Sequence, residues 1–174
     1  STRIRDAVGD GHGSDAQFIR ELRNAVRQNL TRAGDEISVN QQAQWWESPE
    51  RERRRITIAE CWSMMPPSFG NTERQPLRSI LGFGMVYEFG SEGWLTGVIT
   101  EDSRGKGHGR ALFEEMLAWC KSVHLQPWLE VFADNMPARH LYLSLGFATD
   151  NTRLVRQPGV GPRTILIMTT GKSA

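Results

Sequence analysis

The stretch that most constrains this chain is Arg104-Gly105-Lys106-Gly107-His108-Gly109, taken with its two flanks. Before it stands the strand-like run Trp94-Leu95-Thr96-Gly97-Val98-Ile99. After it, from Arg110 and Ala111, comes an amphipathic helical pattern. Leu112, Met116, Cys120 and Val123 recur on one helix face with Phe113 and Leu117 beside them, while Glu114, Glu115 and Lys121 lie elsewhere on the wheel. A strand, a glycine-rich turn and a helix start together build an anion site. The first N–H groups of a helix have no intrahelical acceptor, and the aligned peptide dipoles favour negative charge there. Glycines let a phosphate approach the backbone, because no Cβ intervenes.

The rest of the chain alternates between strand and helix patterns. Thr2–Asp6 reads as a short first strand, and residues 8–13 as a loop. Ser14 and Gln17 have the spacing of a capping box. Phe18, Leu22, Val26 and Leu30 follow at helical spacing, which predicts a helix to about Leu30. Ser38 or Asn40 caps a second short helix that carries Gln41, Gln42, Trp45 and Trp46 and is interrupted by Pro49. Arg55–Trp62 alternates and is β-branched, so it reads as a strand. Residues 63–76, with Pro66, Pro67, Gly70, Asn71 and Pro76, read as a long loop. Ile80–Phe89 and residues 94–100 form a hairpin turned by Gly90-Ser91-Glu92-Gly93. Pro127–Ala133 is the next strand. Asn135 caps a helix holding Ala138, Leu141, Tyr142 and Leu145, with Gly146 as its stop. Phe147–Arg156 and Thr164–Thr170 are final strands joined by a Pro/Gly loop at 157–163. Without a repeat, a low-complexity block or a composition break, residues 1–174 are expected to form a single α/β or α+β domain on one sheet.

With 174 residues, 39% of them hydrophobic, and six tryptophans, the chain has enough for one substantial core. The net charge of +1 gives no global drive toward nucleic acid or acidic membranes. No nucleic-acid partner is therefore expected. No apolar run approaches the ~20 residues of a membrane span, and the N-terminus lacks a secretory apolar segment. A cytoplasmic protein, monomer or homodimer, is expected. Cys61 and Cys120 lie far apart with no metal-ligand spacing, so they read as two reduced thiols and no metal site is predicted.

A second cluster follows the glycine loop at a suitable distance: Leu129-Glu130-Val131-Phe132-Ala133-Asp134-Asn135, then Ala138-Arg139-His140-Leu141-Tyr142 and Gly146-Phe147. The combination resembles the GNAT superfamily of acyl-CoA-dependent N-acyltransferases. The family's pyrophosphate loop, Arg/Gln-x-x-Gly-x-Gly/Ala, is filled by Arg104, Gly107 and Gly109. Its second signature, Asn-x-x-Ala-x-x-Leu/Phe-Tyr and then Gly-Phe, is filled by Asn135, Ala138, Leu141, Tyr142, Gly146 and Phe147. Arg3-Ile4-Arg5 looks like the family's first strand. The specific motifs lie within residues 94–149.

The resemblance implies a mixed, mostly antiparallel central sheet flanked by helices and splayed where acyl-CoA enters. It implies acetyl-CoA as acyl donor. The loop Arg104, Gly105, Lys106, Gly107, His108, Gly109 and Arg110 would supply N–H donors to the pyrophosphate. Arg104 and Lys106 either add charge or stand as solvated cations, and the imidazole of His108 is incidental. Gly97, Val98 and Ile99 fall where the family pairs its backbone with the pantetheine amides, and Asn135 joins the donor-binding set. Tyr142 matches the family's general acid. A phenol, reference pKa ~10, keeps its proton at pH 7. The alternative is a helix tyrosine that only packs. Glu130 resembles the base of the ribosomal-protein N-terminal acetyltransferases, or is a structural carboxylate bonded to backbone or an arginine. Glu88, Glu101 and Asp102 are the other candidate bases.

An acceptor amine must be neutral to attack, and a lysine-like amine has a reference pKa near ~10.4. The acceptor cleft is expected at residues 40–47 and the 157–163 loop. Trp45 and Trp46 are candidate substrate-binding residues. Adjacent tryptophans cannot share a helix face, so one is core and the other exposed or at the cleft. The basic run Arg51, Arg53, Arg54 and Arg55 is interleaved with Glu50 and Glu52 and reads as a solvated segment. The resulting expectation is an N-acetyltransferase acting by direct attack of a primary amine on the thioester. Its acceptor is a small molecule, with a peptide acceptor (protein N-terminal or lysine acetylation) as the alternative. A non-catalytic acyl-CoA-binding module is the rival from another class.

Overall fold

Seven strands form one continuous sheet in a computed structural model that describes residues 1–32, 34–66, 70, 73–157 and 159–171. They are β1 Thr2–Asp6, β2 Arg54–Met64, β3 Pro76–Phe89, β4 Glu92–Ile99, β5 Gln126–Phe132, β6 Phe147–Gln157 and β7 Gly161–Thr170. The helices are α1 Ser14–Ala25, α2 Val39–Trp46, the one-turn α3 Pro49–Glu52, α4 His108–Ser122 and α5 Met136–Ser144. The order across the sheet is β1-β2-β3-β4-β5-β7-β6, and only β4 and β5 run parallel.

The β4–β5 junction positions everything that follows. Pairing runs from Glu92↔Gln126 to Leu95↔Leu129 and stops. Thr96–Ile99 stays bonded to β3, and Glu130–Phe132 stays bonded to β7. The sheet therefore opens into a wedge, leaving one backbone edge of Thr96–Ile99 without a strand neighbour.

Alternation puts two cores on the two sheet faces. Leu112, Phe113, Met116 and Cys120 of α4 pack on Leu95, Leu129, Val131 and Met168. Burial in this apolar layer pushes the Cys120 thiol up to about 11, so it stays an unreactive packing group. Gly97 admits this close approach, since a Cβ there would collide with the Phe113 ring. On the other face Ala16, Ile19 and Trp46 cover Ile56, Ile58, Phe83 and Val98. At the sheet edge Arg5 bonds Asp15 at 2.7 and 2.9 Å and Glu60 at 2.9 Å, joining β1, α1 and β2. Burial alone would raise both carboxyls, but the guanidinium outweighs it and holds them below the usual range.

Several boundaries differ from the sequence reading. The capping box at Ser14–Gln17 does not form: Gly13 is the N-cap, Ser14 is the first helical residue and Gln17 bonds Glu21. The pull of Arg5 on Asp15 sets that first turn. The box forms instead between Ser38 and Gln41. The first helix stops at Ala25, followed by a 3-10 turn at Arg27–Asn29, because the next segment is drawn to the distant β5–β7 region. Glu92 and Gly93 belong to β4, so Gly90-Ser91 alone turns the hairpin. Met64 and Pro76 lie in strands, which shortens the predicted 63–76 loop; residues 67–69, 71 and 72 lie outside the described residues. The 157–163 loop is shorter still, because Gln157 already pairs with Gly161, and Pro158 lies outside the described residues.

Candidate active site

A cavity of about 1310 Å³ fills the wedge. One arm runs along the open edge of β4, at Gly97, Val98 and Ile99, to Arg104, Gly105 and Gly109. Gly107 caps α4 in the left-handed region, φ 83°, where a side chain is strained. The free N–H groups of the α4 start lie beside this arm. From α5, Asn135, Ala138, Leu141 and Tyr142 line it on the other side. Asn135 Oδ1 accepts from Ala138 N at 3.3 Å, so its side chain is a helix cap.

Not every loop side chain faces the arm. Arg104 donates to the Ile99 carbonyl at 3.2 Å and Lys106 to the Asp102 carbonyl at 2.8 Å. His108 Nδ1 lies 2.7 Å from Thr2 Oγ1, turned toward β1. Arg110 reaches Ser144 and pairs with Glu114 at 3.5 Å. Arg104 still lines the arm, while Lys106, His108 and Arg110 have side chains engaged elsewhere.

Tyr142 lies where the arm meets the wedge. Its ring packs on Phe113 at 4.9 Å and Phe147 at 6.1 Å between centroids. Burial raises its phenol well above the ordinary value, so the hydroxyl keeps its proton.

Glu130 is placed differently from a general base. Oε1 accepts from Arg32 at 2.8 Å and Arg153 at 3.1 Å; Oε2 accepts from Thr31 and from Arg153, each at 2.9 Å. Burial would raise the carboxyl, but these donors hold it down at about 2. A carboxylate so committed has little affinity for an amine proton, which fits the alternative of a structural carboxylate bonded to an arginine. Its work here is to fasten the segment after α1 to β5 and β6. The stability sign follows from the depressed value. Its contribution is full above the unfolded pKa, near ~4.3, and is lost as pH falls toward 2. Glu130→Gln is expected to lower Tm at pH 7, with the deficit shrinking below about pH 4. Its pH–rate profile from pH 6 to 9 should keep the wild-type shape. A lost limb in that profile would restore the base.

The other candidate bases do not face the wedge: Glu88 acts on Cys120 on the α4 side, and Glu101 and Asp102 lie in a 3-10 turn outside the cavity. The cavity-lining carboxylates are Glu92, Glu130 and Asp134. Asp134 is held by Arg163 at 3.0 Å. Glu92 accepts from Trp94 Nε1 at 2.9 Å and, among the described residues, has no guanidinium partner.

The second arm lies on the α1–α2 face. Trp46 is in the core, its Nε1 donating to Gly9 O at 3.1 Å. Trp45 lines the cavity with Tyr87, Phe89 and Trp94, the last stacked on Trp128 at 5.6 Å. Of residues 157–163, Arg163 lines the cavity, and of 40–47, Trp45 does. Arg163 donates to the Gln28 carbonyl at 2.9 Å and Arg153 to the Thr31 carbonyl at 3.3 Å, so β6–β7 and residues 28–32 roof one end. The basic run is only partly solvated: Arg51 lies 4.9 Å over Trp46, Arg54 lies 4.4 Å over Tyr87, and Arg55 pairs with Asp6 and Glu115.

The sequence model of the acetyltransferase (GNAT) family matches residues 36–147. The chain belongs to the GNAT family. No curated protein matches it. Solved structures do. An N-acetyltransferase from Staphylococcus aureus Mu50 superposes with TM-score 0.73 at 17% identity, over 97% of this chain and 96% of that one. A ribosomal-protein-alanine N-acetyltransferase from Brucella melitensis gives 0.72 at 17%, over 97% and 98%. A spermidine N-acetyltransferase from Vibrio cholerae, in complex with CoA and spermine, gives 0.73 at 17%, over 97% and 94%. At these identities the likeness shows the fold.

GNAT proteins bind acetyl-CoA, and the residues present fit it. An unpaired strand edge suits an amide-bearing arm, and a Cβ-free turn at a helix start suits a pyrophosphate. The family match stops short of Arg23, Arg32 and Arg163, which line the other arm, and of Arg153, which holds Glu130. Sequence reasoning reached Arg163 only as part of the 157–163 loop and Arg54 only as part of the basic run, and it missed Arg23, Arg32, Arg153, Thr31 and Glu92. Alternation along β3 and β4 offers a signal for the aromatic face, since Tyr87, Phe89, Glu92 and Trp94 share one side. The arginines offer none. No described helix is long and apolar enough to cross a membrane.

Proposed function

We propose that this protein moves an acetyl group from acetyl-CoA to a primary amine of a small molecule. The observation that carries the reading is the wedge itself. It joins a glycine-lined arm to an aromatic arm roofed by residues 28–32 and β6–β7, with Tyr142 in its wall. The donor supplies an activated acetyl thioester when bound. Gly105, Gly109 and the α4 start hold its pyrophosphate through backbone N–H groups, and the open edge of Gly97–Ile99 holds its amide arm. Tyr142 Oη keeps its proton throughout the working pH range and acts as the acid. Glu92 draws the acceptor's ammonium and takes its proton, directly or through water. The roof favours a small acceptor over a peptide that must lie across the cleft. The test is a screen of amines and peptides with acetyl-CoA, detecting free thiol and the acetylated product by mass. Transfer to small amines supports the reading, transfer to peptides alone replaces it with protein acetylation, and donor binding without transfer to any acceptor leaves a binding module.

A further inference from the structure

The aromatic arm contains a charge that nothing answers. Arg23, in the last turn of α1, faces both this arm and a smaller adjoining cavity of about 370 Å³. The other guanidiniums of this arm have carboxylates: Arg32 holds Glu130 at 2.8 Å, Arg163 holds Asp134 at 3.0 Å and Arg54 reaches Glu50 at 3.2 Å, while Arg104, in the glycine-lined arm, donates to the Ile99 carbonyl. Among the described residues Arg23 has neither an ion pair nor a side-chain hydrogen bond. Asp35 and Glu36 line the smaller cavity without pairing with it. The charge that acts on it is a like one, Arg54; burial and that repulsion lower its pKa. A guanidinium does not escape by losing its proton, so the cost of holding it out of water persists until an anion arrives.

Two further groups point the same way. Gln42 is 4% exposed, lines the smaller cavity, and has a buried Nε2 without a hydrogen-bond partner. Arg54 lines the arm, held between Tyr87, at 4.4 Å, and Trp45, at 5.4 Å, with its Nη1 donating to Glu50. Arg23 thus faces both cavities, with Gln42 of α2 lining the smaller and Arg54 of β2 the larger, and the group that completes these donors is an acceptor of hydrogen bonds with negative charge.

We propose that Arg23 and Arg54, with Gln42 behind them, form an oxyanion subsite for the acceptor, which is an amine whose carrier also bears a carboxylate or phosphonate-type group. The inference rests on the acetyltransferase reading and narrows it. A polyamine, cationic at every nitrogen, is the acceptor this arm suits least.

Matched amines with and without the carboxylate test it: L-phenylalanine against 2-phenylethylamine, and L-methionine against 3-(methylthio)propylamine, with spermidine as the polycation. Calorimetry on the full chain saturated with CoA reads binding without turnover. The carboxylated member of each pair is expected to bind about tenfold tighter or more, as two charge-assisted hydrogen bonds would give. Arg23→Gln should close most of that gap, and Arg23→Lys should restore part of it. Arg54→Gln reads the same gap should Arg23→Gln fail to fold. Equal binding within both pairs, no binding of either carboxylated probe, tighter binding of spermidine, or an unchanged gap in folded Arg23→Gln overturns the subsite. Transfer assays on the same pairs separate the two claims. Equal transfer to both members keeps the acetyltransferase reading and removes the subsite. No transfer to any amine or peptide removes the acetyltransferase reading, and calorimetry still decides the subsite.

Discussion

Tyr142→Phe is expected to lower the single-turnover rate of acetyl transfer by at least about tenfold and to leave the fold intact. General acids typically contribute ~10²–10⁴-fold, and rescue by water brings the lower bound down. The packing argument makes the variant clean. The Tyr142 ring lies 4.9 Å from Phe113 and 6.1 Å from Phe147, and phenylalanine preserves both contacts. The residue is 9% exposed, and its burial is also the reason the hydroxyl is in the right protonation state. A raised phenol pKa keeps the acid form to higher pH, so Tyr142 adds no falling limb to the rate profile below about pH 10. Acetyl-CoA affinity should barely change, since the loop at 104–109 is untouched. Single-turnover kinetics are the measurement, because slow product release hides a slowed chemical step. A variant with a wild-type chemical step returns the residue to packing alone.

What the sequence made legible was local. The glycine loop, its strand and its helix are contiguous in the chain, and so is the Asn135–Phe147 signature, where the Asn135 cap and the Gly146 stop both occur, Gly146 at φ 92°. The two tryptophans were separable in principle and only the fold decides between them, because which helix face meets the sheet is a tertiary fact. Glu130 shows the limit most clearly. Its place on a strand was readable, but its partners Thr31 and Arg32 are 99 and 98 residues away in the chain. Those partners favour the structural carboxylate over the base. His108 is drawn to Thr2, 106 residues away, for the same reason. Arg23 gives no local signal at all, since an arginine on a helix ordinarily reads as solvated surface.

Gly109→Glu is expected to weaken acetyl-CoA binding by about 100-fold or more while leaving the protein at least as stable. The two effects have different causes, which is what makes the variant informative. A Cβ at Gly109 would meet Leu141 at 3.6 Å and Ile99 at 3.7 Å, ordinary contacts that need no shift. Residue 109 lies in the first turn of α4, where a carboxylate interacts favourably with the helix dipole and any side chain improves on glycine in helix propensity. The empty protein therefore gains. The same carboxylate projects into the arm that the pyrophosphate is proposed to fill, and like charges in contact cost several kcal/mol. Gly107→Glu is the poorer test, because at φ 83° any side chain strains the cap and confuses affinity with stability. Gly109→Ala separates bulk from charge: it should raise Tm slightly and change affinity much less than the glutamate. Calorimetry with acetyl-CoA and a thermal melt on the three proteins check this, and a Gly109→Glu protein that binds the donor like wild type would move the pyrophosphate site elsewhere.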